Sequence, residues 1–243
     1  MKIFVCSDIH GNVRALDAVL AIYRSSAPCS FLNLGDCVGY GPHPDACLER
    51  VLALPQAHHV MGNHEWALIH RGERIHLNSF AARALDWSES LLMGKFDRSI
   101  HERFTMEYKS QHYLAAHGSP VHPEEWPYIL SEIDAGEIFY SRDFHVCFIG
   151  HTHIPVIFSF EKGAVDIVEE ATFRLDANDR YLINPGSVGQ PRDLDPRASC
   201  CMYDTSEGTI TFHRCEYDVK AEVDDFRRAN LPAFLGERLL HGT

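Results

Sequence analysis

Several features of secreted, membrane-bound and disulfide-stabilised proteins are missing from this chain of 243 residues. Its eight cysteines include no CxxC pair, and the opening residues, MKIFVCSDIHGN, contain an apolar run of only four. A run that short fits neither a signal peptide nor a membrane-spanning helix. We therefore expect a cytoplasmic protein that does not engage membranes, whose thiols are reduced and packed rather than bound to structural zinc.

Basic residues are also few, with 22 Lys and Arg against 34 Asp and Glu, and the formal net charge is −12 with histidines neutral. Long nucleic acids usually bind to a basic stripe, because neutralising phosphates and releasing counterions supplies much of the affinity. No such stripe is present, so we expect a small substrate and no long nucleic acid as partner. The composition indicates no oligomeric state.

What the chain does have is histidine and a large apolar fraction. Hydrophobic residues make up 45% of the sequence, enough for a substantial core, and no repeat or low-complexity segment interrupts it. We interpret residues 1–243 as a single domain. Sixteen histidines are many for this length, and they are the first indication that some are ligands.

Strand and helix patterns alternate in the first part of the chain. Short apolar runs at 2–6, 31–34 and 58–61 predict three strands. Apolar residues recur at helical spacing within 13–23 after the first strand and within 47–52 after the second. This alternation predicts an α/β sheet whose strand ends carry the chemistry.

The pattern changes after an amphipathic segment at 79–92, which predicts a helix, and the preceding residues 72–78 predict a surface connection. The tail at about 219–240 is helical in composition and interrupted at Pro232. Beyond Phe104, short strand-like runs dominate and predict a second sheet. These runs are 113–116, 146–149, 156–160, 165–168, 181–183, 199–203 and 209–213.

Carboxylate, amide and imidazole side chains follow five of the predicted strands. Asp8 and His10 lie two residues apart, so both side chains point the same way if the extended backbone continues past the first strand. Gly35 before Asp36 allows the backbone to come close to a crowded group of ions. The full set is Asp8, His10, Asp36, Asn63, His64, His117, His151 and His153.

Taken in order, the segments SDIHGN, LGDCVGYG, MGNHE, AAHGSP and IGHTHIP closely resemble the motifs of calcineurin-like metallophosphoesterases, and the resemblance spans residues 3 to about 192. The resemblance implies an α/β fold, a four-layer sandwich of two packed mixed β-sheets flanked by helices. The predicted order of strands and helices agrees with that fold.

The resemblance also implies a ligand set for two divalent transition-metal ions. One ion would be held by Asp8, His10, Asp36 and His153, and the other by Asp36, Asn63, His117 and His151. Asp36 would bridge the ions, and His64 would act as the acid. Such a pair activates a shared hydroxide that attacks phosphorus. Carboxylate, amide and imidazole ligands suit Mn²⁺, Fe²⁺, Ni²⁺ or Zn²⁺, and the resemblance favours manganese.

Departures from related subgroups narrow the expected function. Protein phosphatases and the related dinucleotide hydrolases follow their bridging aspartate with a V-x-R-G-like run, and Gly39 stands in place of the acid that pairs with their catalytic histidine. Purple acid phosphatases have D-x-G and a ligand tyrosine, whereas this chain has His10 and Gly39. The later loop NPGSVGQPR, residues 184–192, resembles that of small bacterial phosphodiesterases. Arg192 in this loop either binds substrate phosphate or closes a strand turn, and Tyr40 either stacks on a substrate ring or packs.

We therefore expect a phosphodiesterase that hydrolyses a small or nucleotide-like phosphodiester. A phosphomonoesterase or a nucleoside polyphosphate hydrolase is the alternative enzyme, and a binding scaffold on the same fold is the alternative that is not an enzyme. Four further histidines near the motif loops match no ligand position, so we expect them at the surface or behind the ligands. They are His43, His58, His59 and His122.

Overall fold

The computed structural model describes residues 1–26, 29–72, 78–165 and 172–243 of the chain. Its strands are β1 (Lys2–Cys6), β2 (Ser30–Asn33), β3 (Ala57–Val60), β4 (Phe104–Thr105), β5 (Glu107–Lys109), β6 (Leu114–Ala116), β7 (Val146–Phe148), β8 (Val156–Ser159), β9 (Gly163–Val165), β10 (Thr172–Arg174), β11 (Tyr181–Asn184), β12 (Ala198–Asp204) and β13 (Thr209–Cys215). Its α-helices are α1 (Val13–Ser25), α2 (Pro44–Leu52), α3 (Asn63–Ile69), α4 (Ser79–Leu92), α5 (Asp97–Arg103), α6 (Glu132–Ser141), α7 (Val219–Arg228) and α8 (Ala233–Glu237).

The strands form two mixed sheets. Seven strands make the first sheet in the order β10-β13-β12-β1-β2-β3-β4, and six make the second in the order β5-β6-β7-β11-β8-β9. Strands β1 to β4 run parallel, as do β6, β7 and β11, so their carboxyl ends lie at one edge of each sheet. The remaining strands pair antiparallel.

Side-chain alternation along β1 explains the layering. Ile3 and Val5 lie in a core shared with Phe148 of the second sheet, whereas Phe4 belongs to the core that also contains Leu16 of α1. Successive strand residues point to opposite faces, so one strand supplies two cores. A third core packs α6 against the outer face of the second sheet. The predicted four-layer fold of two mixed sheets flanked by helices is confirmed.

Two predicted strands lie in the other sheet from the one expected. The runs 199–203 and 209–213 were expected in the second sheet, but they form β12 and β13 of the first. β12 pairs antiparallel with β1, with Ile3 opposite Tyr203, and β13 pairs with β12 along its whole length. An apolar run indicates a strand but carries no information about which distant strand is its partner, so this placement was wrong.

Some of the remaining helices and strands match the predicted ranges, and others were not predicted. The helix predicted at 79–92 is α4, with Asn78 accepting hydrogen bonds from the first turn. Helices α3, α5 and α6 and strands β4, β5 and β10 have no counterpart in the prediction, because they are short or weakly periodic. Most of the expected connection at 72–78 and residues 166–168 of an expected strand lie outside the described residues.

The C-terminal tail forms α7 and α8, with Pro232 directly before α8, followed by a short 3-10 turn at Arg238–Leu240. Phe226, Leu235 and Leu239 of the tail share a buried cluster with two alanines of α4. Ion pairs attach the start of the tail as well, since Arg14 Nη1 lies 2.8 Å from Glu222 Oε2. The tail is therefore packed firmly against the rest of the molecule.

Candidate metal centre

The predicted ligands collect where five strands of the two sheets end. Asp8 follows β1, Asp36 follows β2, and Asn63 is the first residue of α3 after β3. His117 follows β6, and the pair His151 and His153 follows β7. Because the two sheets are packed face to face, these ends meet in one place.

Five of these residues have left-handed backbone conformations. Their φ angles are 55° for Asp8, 47° for His10, 55° for Asp36, 68° for His151 and 63° for His153. Such conformations are costly for residues with a Cβ, and they persist where the surroundings hold them for a function. The expectation that extended backbone continues to His10 was wrong, since β1 ends at Cys6.

The side chains nevertheless converge, in two adjacent groups. In the first, His153 Nε2 lies 3.3 Å and His10 Nε2 lies 3.9 Å from Asp8 Oδ1. In the second, His117 Nε2 lies 3.2 Å from both Asp36 Oδ2 and His151 Nδ1.

Asp36 lies between the two groups. Its Oδ2 atom is 3.7 Å from His10 Nε2 in addition to its contact with His117, while its Oδ1 accepts a hydrogen bond from the His64 backbone N–H at 2.9 Å. Gly35 makes this crowding possible, because it has φ +107° and a Cβ there would lie 2.6 Å from Gly62 N.

Three of the imidazoles are held in one tautomer by backbone carbonyls. Nδ1 of His10 contacts Val38 O at 3.0 Å, Nδ1 of His117 contacts Leu34 O at 2.8 Å, and Nδ1 of His153 contacts Gln190 O at 2.6 Å. A carbonyl only accepts, so each Nδ1 carries the proton. In neutral rings the Nε2 lone pairs then point into the centre, the arrangement typical of metal ligands.

The inward-facing atoms fit cations. Nε2 of His10 and Nε2 of His153 lie 3.1 Å apart, so two neutral rings of this tautomer would face each other with lone pairs. Asp8 Oδ1 and Asn63 Oδ1 are buried and have no hydrogen-bond partner among the described residues. Buried polar atoms are rarely left unpartnered, and a bound cation would satisfy all of these acceptors at once. The residues therefore fit divalent metal ions.

The buried carboxylates and imidazoles of the site shift one another's pKa values. Burial opposes ionisation of Asp36, but His117 and His64 outweigh it and hold the pKa of that carboxyl well below its ordinary value. Burial opposes protonation of His117 too, yet Asp36 and Asp8 raise its pKa to about 9. Burial and His117 lower the pKa of His151 to about 3, which keeps that ring neutral and free to coordinate.

Glu65 supports the centre, and the sequence prediction gave it no role although it ends the motif MGNHE. This buried carboxylate accepts backbone hydrogen bonds from Asp36 at 2.7 Å, Gly62 at 3.1 Å and Val38 at 3.1 Å. Burial and the Asp36 charge raise its pKa to about 7. Glu65 thus joins the two loops that carry Asp36 and Asn63. A carboxylate at the third position of a helix is typical of a capping residue, and this pattern could have predicted its role from the sequence.

A cleft of about 490 Å³ opens over the centre, and His64 and Arg192 both line it. Nδ1 of His64 is buried and has no partner among the described residues. Tyr40 also lines the cleft but is packed, with its ring centroid 4.6 Å from that of His10. The other lining residues are Asp36, Asn63, Trp66, Ala67, Asn78, Ala81, Glu124, Glu125, Trp126, Tyr128, His151 and His153.

The four additional histidines lie apart from these two groups. His58 stacks on Tyr108, and His59 stacks on Phe104. His43 Nε2 lies 2.9 Å from Asp225 Oδ2, in a cluster whose acids also pair with Arg14. His122 has a left-handed backbone before a 3-10 turn.

All eight cysteines are free, and seven of them are buried. Among the described residues, no helix is long and apolar enough to cross a membrane.

Comparison with known proteins identifies relatives over the whole chain. Residues 1–208 match the model of the calcineurin-like phosphoesterase superfamily domain. An uncharacterized protein of Methanocaldococcus jannaschii is 36% identical over 99% of this chain and 98% of its own length. Phosphodiesterase YfcE of Escherichia coli K12 is 26% identical over 84% of this chain and 88% of its own length. The crystal structure of a metallophosphoesterase from Sphaerobacter thermophilus matches with a TM-score of 0.87 and 36% identity, over 100% of both chains.

Proposed function

We propose that this chain, which belongs to the calcineurin-like phosphoesterase superfamily, is a metal-dependent phosphodiesterase acting on small or nucleotide-like phosphodiesters in the cytoplasm. The observation that carries this proposal is a set of adjoining His/Asp groups beneath the cleft. Asp8, His10 and His153 form one group, Asp36, His117 and His151 form another, and His10, Asp36 and His64 form a third that connects them. The phosphodiesterase of Escherichia coli among its relatives supports the same activity.

The ligand atoms divide into two sets around Asp36. Asp8, His10 and His153 would hold one ion, and His117, His151 and the Asn63 amide oxygen would hold the other, with Asp36 shared. Two divalent ions bound there would polarise phosphoryl oxygens and lower the pKa of water, so that a nucleophile forms at neutral pH. Manganese is the metal we propose first.

Charge on the ligands favours diesters over monoesters. Asp8 and Asp36 cancel two of the four positive charges of two divalent ions, and the attacking nucleophile cancels roughly one more. The metal-loaded site would thus present a net positive charge of roughly one to the phosphoryl group. A diester monoanion matches that charge better than a monoester dianion.

His64 is placed to act on the leaving group. Its backbone N–H donates to Asp36, its imidazole lines the cleft, and it forms a close group with His10 and Asp36. We assign it as the proton donor to the departing oxygen, a contribution of about 10² to 10⁴ in rate. The alternative is that His64 orients Asn63 or stabilises charge on the phosphoryl oxygens, which would affect all leaving groups alike.

The test compares bis-p-nitrophenyl phosphate with p-nitrophenyl phosphate, using protein reconstituted with Mn²⁺. We expect a larger kcat/KM for the bis ester, and activity that disappears with chelator and in His117→Ala. His101→Ala, at an exposed histidine on α5 outside the site, is the matched control and should behave as wild type. A larger kcat/KM for the monoester would favour the phosphomonoesterase instead, and no metal-dependent turnover of either ester would favour the binding scaffold.

A further inference from the structure

Two arginines from distant parts of the chain meet beside the metal centre. Arg192 lies in the loop after β11, and Arg238 lies in the 3-10 turn that follows α8. Both contact one acceptor, the side-chain oxygen Oε1 of Gln190, at 3.0 Å from Arg192 Nη2 and 3.4 Å from Arg238 Nη1. Burial and the neighbouring Arg192 lower the pKa of Arg238, as expected for two cations held close together.

Gln190 fixes this pair next to the metal ligands. Its backbone carbonyl accepts the Nδ1 proton of His153 at 2.6 Å, while its side chain holds both guanidinium groups. Arg192 adds a second connection, because its backbone N–H donates to His153 O at 3.3 Å. The two arginines are thus one residue away from a metal ligand, and Arg192 lines the cleft itself.

The pair keeps a donor without a partner, and no carboxylate side chain among the described residues balances its charge. Arg238 Nε donates to Thr243 O, and its guanidinium lies 5.6 Å from the centre of the Phe234 ring. No Asp or Glu side chain among the described residues forms an ion pair with Arg192 or Arg238, and Arg192 Nε is buried without a hydrogen-bond partner there. Two adjacent guanidinium groups repel one another, so their proximity is costly unless an anion joins them. Glu124 and Glu125 line the same cleft, and their negative charges disfavour an anion nearby. An anion in the cleft would therefore bind at the arginine pair.

The tail that carries Arg238 lies beyond residue 208, where the match to the family model ends. Leu239, next to Arg238, is buried in one cluster with Tyr40, and the Leu194 N–H donates to Gly242 O at 2.8 Å. These contacts hold Arg238 against the loop of Arg192. The second arginine therefore comes from a segment outside the residues that the family model matches.

We propose that Arg192 and Arg238 form a binding subsite for a second phosphate group of the substrate, separate from the phosphate that is hydrolysed. Resting on the proposed function, this narrows the substrate class to phosphodiesters that carry an additional phosphate, as in phosphorylated or polyphosphorylated nucleotides. Two divalent ions bound to these ligands would already match the charge of a lone diester, and two further cations match further negative charge. Planar guanidinium groups suit phosphate oxygens because they donate two parallel hydrogen bonds.

The test uses orthophosphate, pyrophosphate and tripolyphosphate as competitive inhibitors of bis-p-nitrophenyl phosphate hydrolysis at fixed free Mn²⁺. Pyrophosphate and tripolyphosphate can reach the subsite while one end stays at the metal centre, because these flexible chains span a range of distances between the two. We expect tripolyphosphate to inhibit wild type at least about tenfold more strongly than orthophosphate, the effect of one charge-assisted contact. Arg238→Gln should bring this ratio close to one.

Arg227→Gln is the matched control, because Arg227 is an exposed arginine of the same tail that pairs with Asp224 at 2.7 Å. It should keep the wild-type ratio. Equal inhibition of wild type by all three anions, or an unchanged ratio in Arg238→Gln, would overturn the subsite. Calorimetric binding of tripolyphosphate to wild type and both variants needs no turnover. Suppose that no variant hydrolyses the bis ester, while wild type and Arg227→Gln bind tripolyphosphate and Arg238→Gln does not. That result would contradict the proposed function and support the subsite.

Discussion

Replacing Gly39 by alanine should displace the His64 imidazole without touching a metal ligand. Gly39 has φ +80°, and a Cβ built on it would lie 2.1 Å from His64 Nδ1. The loop cannot easily move away, because Val38 N–H donates to Glu65 and Gly39 N–H donates to Ser88 Oγ at 3.2 Å. Either the imidazole or the hydrogen-bonded loop must shift.

The cost has two parts that can be separated. Placing alanine at a left-handed φ costs about 1 kcal/mol, and forcing a methyl group into a packed site costs about 1–3 kcal/mol more. Gly39→Ala should therefore lower the free energy of unfolding by about 2–4 kcal/mol. Gly94→Ala supplies the matched control, because Gly94 has φ +83° and nothing within 4 Å of the added Cβ, so only the first part applies.

Urea unfolding in the presence of chelator measures these differences without a contribution from bound metal. In a His64→Ala background the imidazole is gone, so Gly39→Ala should cost about as much as Gly94→Ala, with a coupling energy of about 1–3 kcal/mol. The reasoning is refuted if Gly39→Ala costs no more than Gly94→Ala, or if its cost is the same with and without the imidazole.

Two further substitutions test the neighbouring groups. His64→Ala should retain its metals and lose more activity with alkyl or nucleoside leaving groups than with p-nitrophenolate, since a good leaving group needs the proton less. Comparing kcat/KM across leaving groups of graded pKa measures this, and a plot no steeper than that of wild type would rule out proton donation. Glu65→Gln should cost about 1–3 kcal/mol in urea unfolding, because one amide oxygen cannot accept from Asp36, Gly62 and Val38 together. Unchanged unfolding would mean that these three hydrogen bonds are not important.

The sequence predicted the fold class and the family, because both depend on local patterns. Five short motifs in order indicated a calcineurin-like phosphoesterase, and the family match over residues 1–208 confirms that prediction. Apolar runs ending in polar side chains also predicted that Asp8, Asp36 and His117 would come together. Parallel strands bring the ends of β1 and β2 to one edge of the first sheet, and His117, after β6 of the second sheet, reaches them because the two sheets pack face to face.

What the sequence did not predict depends on contacts between distant residues or on backbone geometry. The placement of β12 beside β1 joins residues about 200 positions apart, as in the pairing of Ile3 with Tyr203. The left-handed conformations of Asp8 and His10 are imposed by the surrounding loops rather than by those residue types. Arg238 was not predicted as a site residue, because only the folding of the tail brings it close to Arg192.

Two ions sharing the Asp36 carboxylate are the basis of the proposed function, and counting metal tests them most directly. Folded wild type, reconstituted with excess Mn²⁺ and freed of unbound metal, should contain two ions per chain by elemental analysis. Asp36→Ala, prepared in the same way, should contain neither. The group with His117 and His151 loses its carboxylate, and the group with Asp8 and His153 loses the Asp36 Oδ2 atom that lies 3.7 Å from His10 Nε2. One ion or none in the wild type, or two ions retained in Asp36→Ala, would contradict the shared two-metal centre.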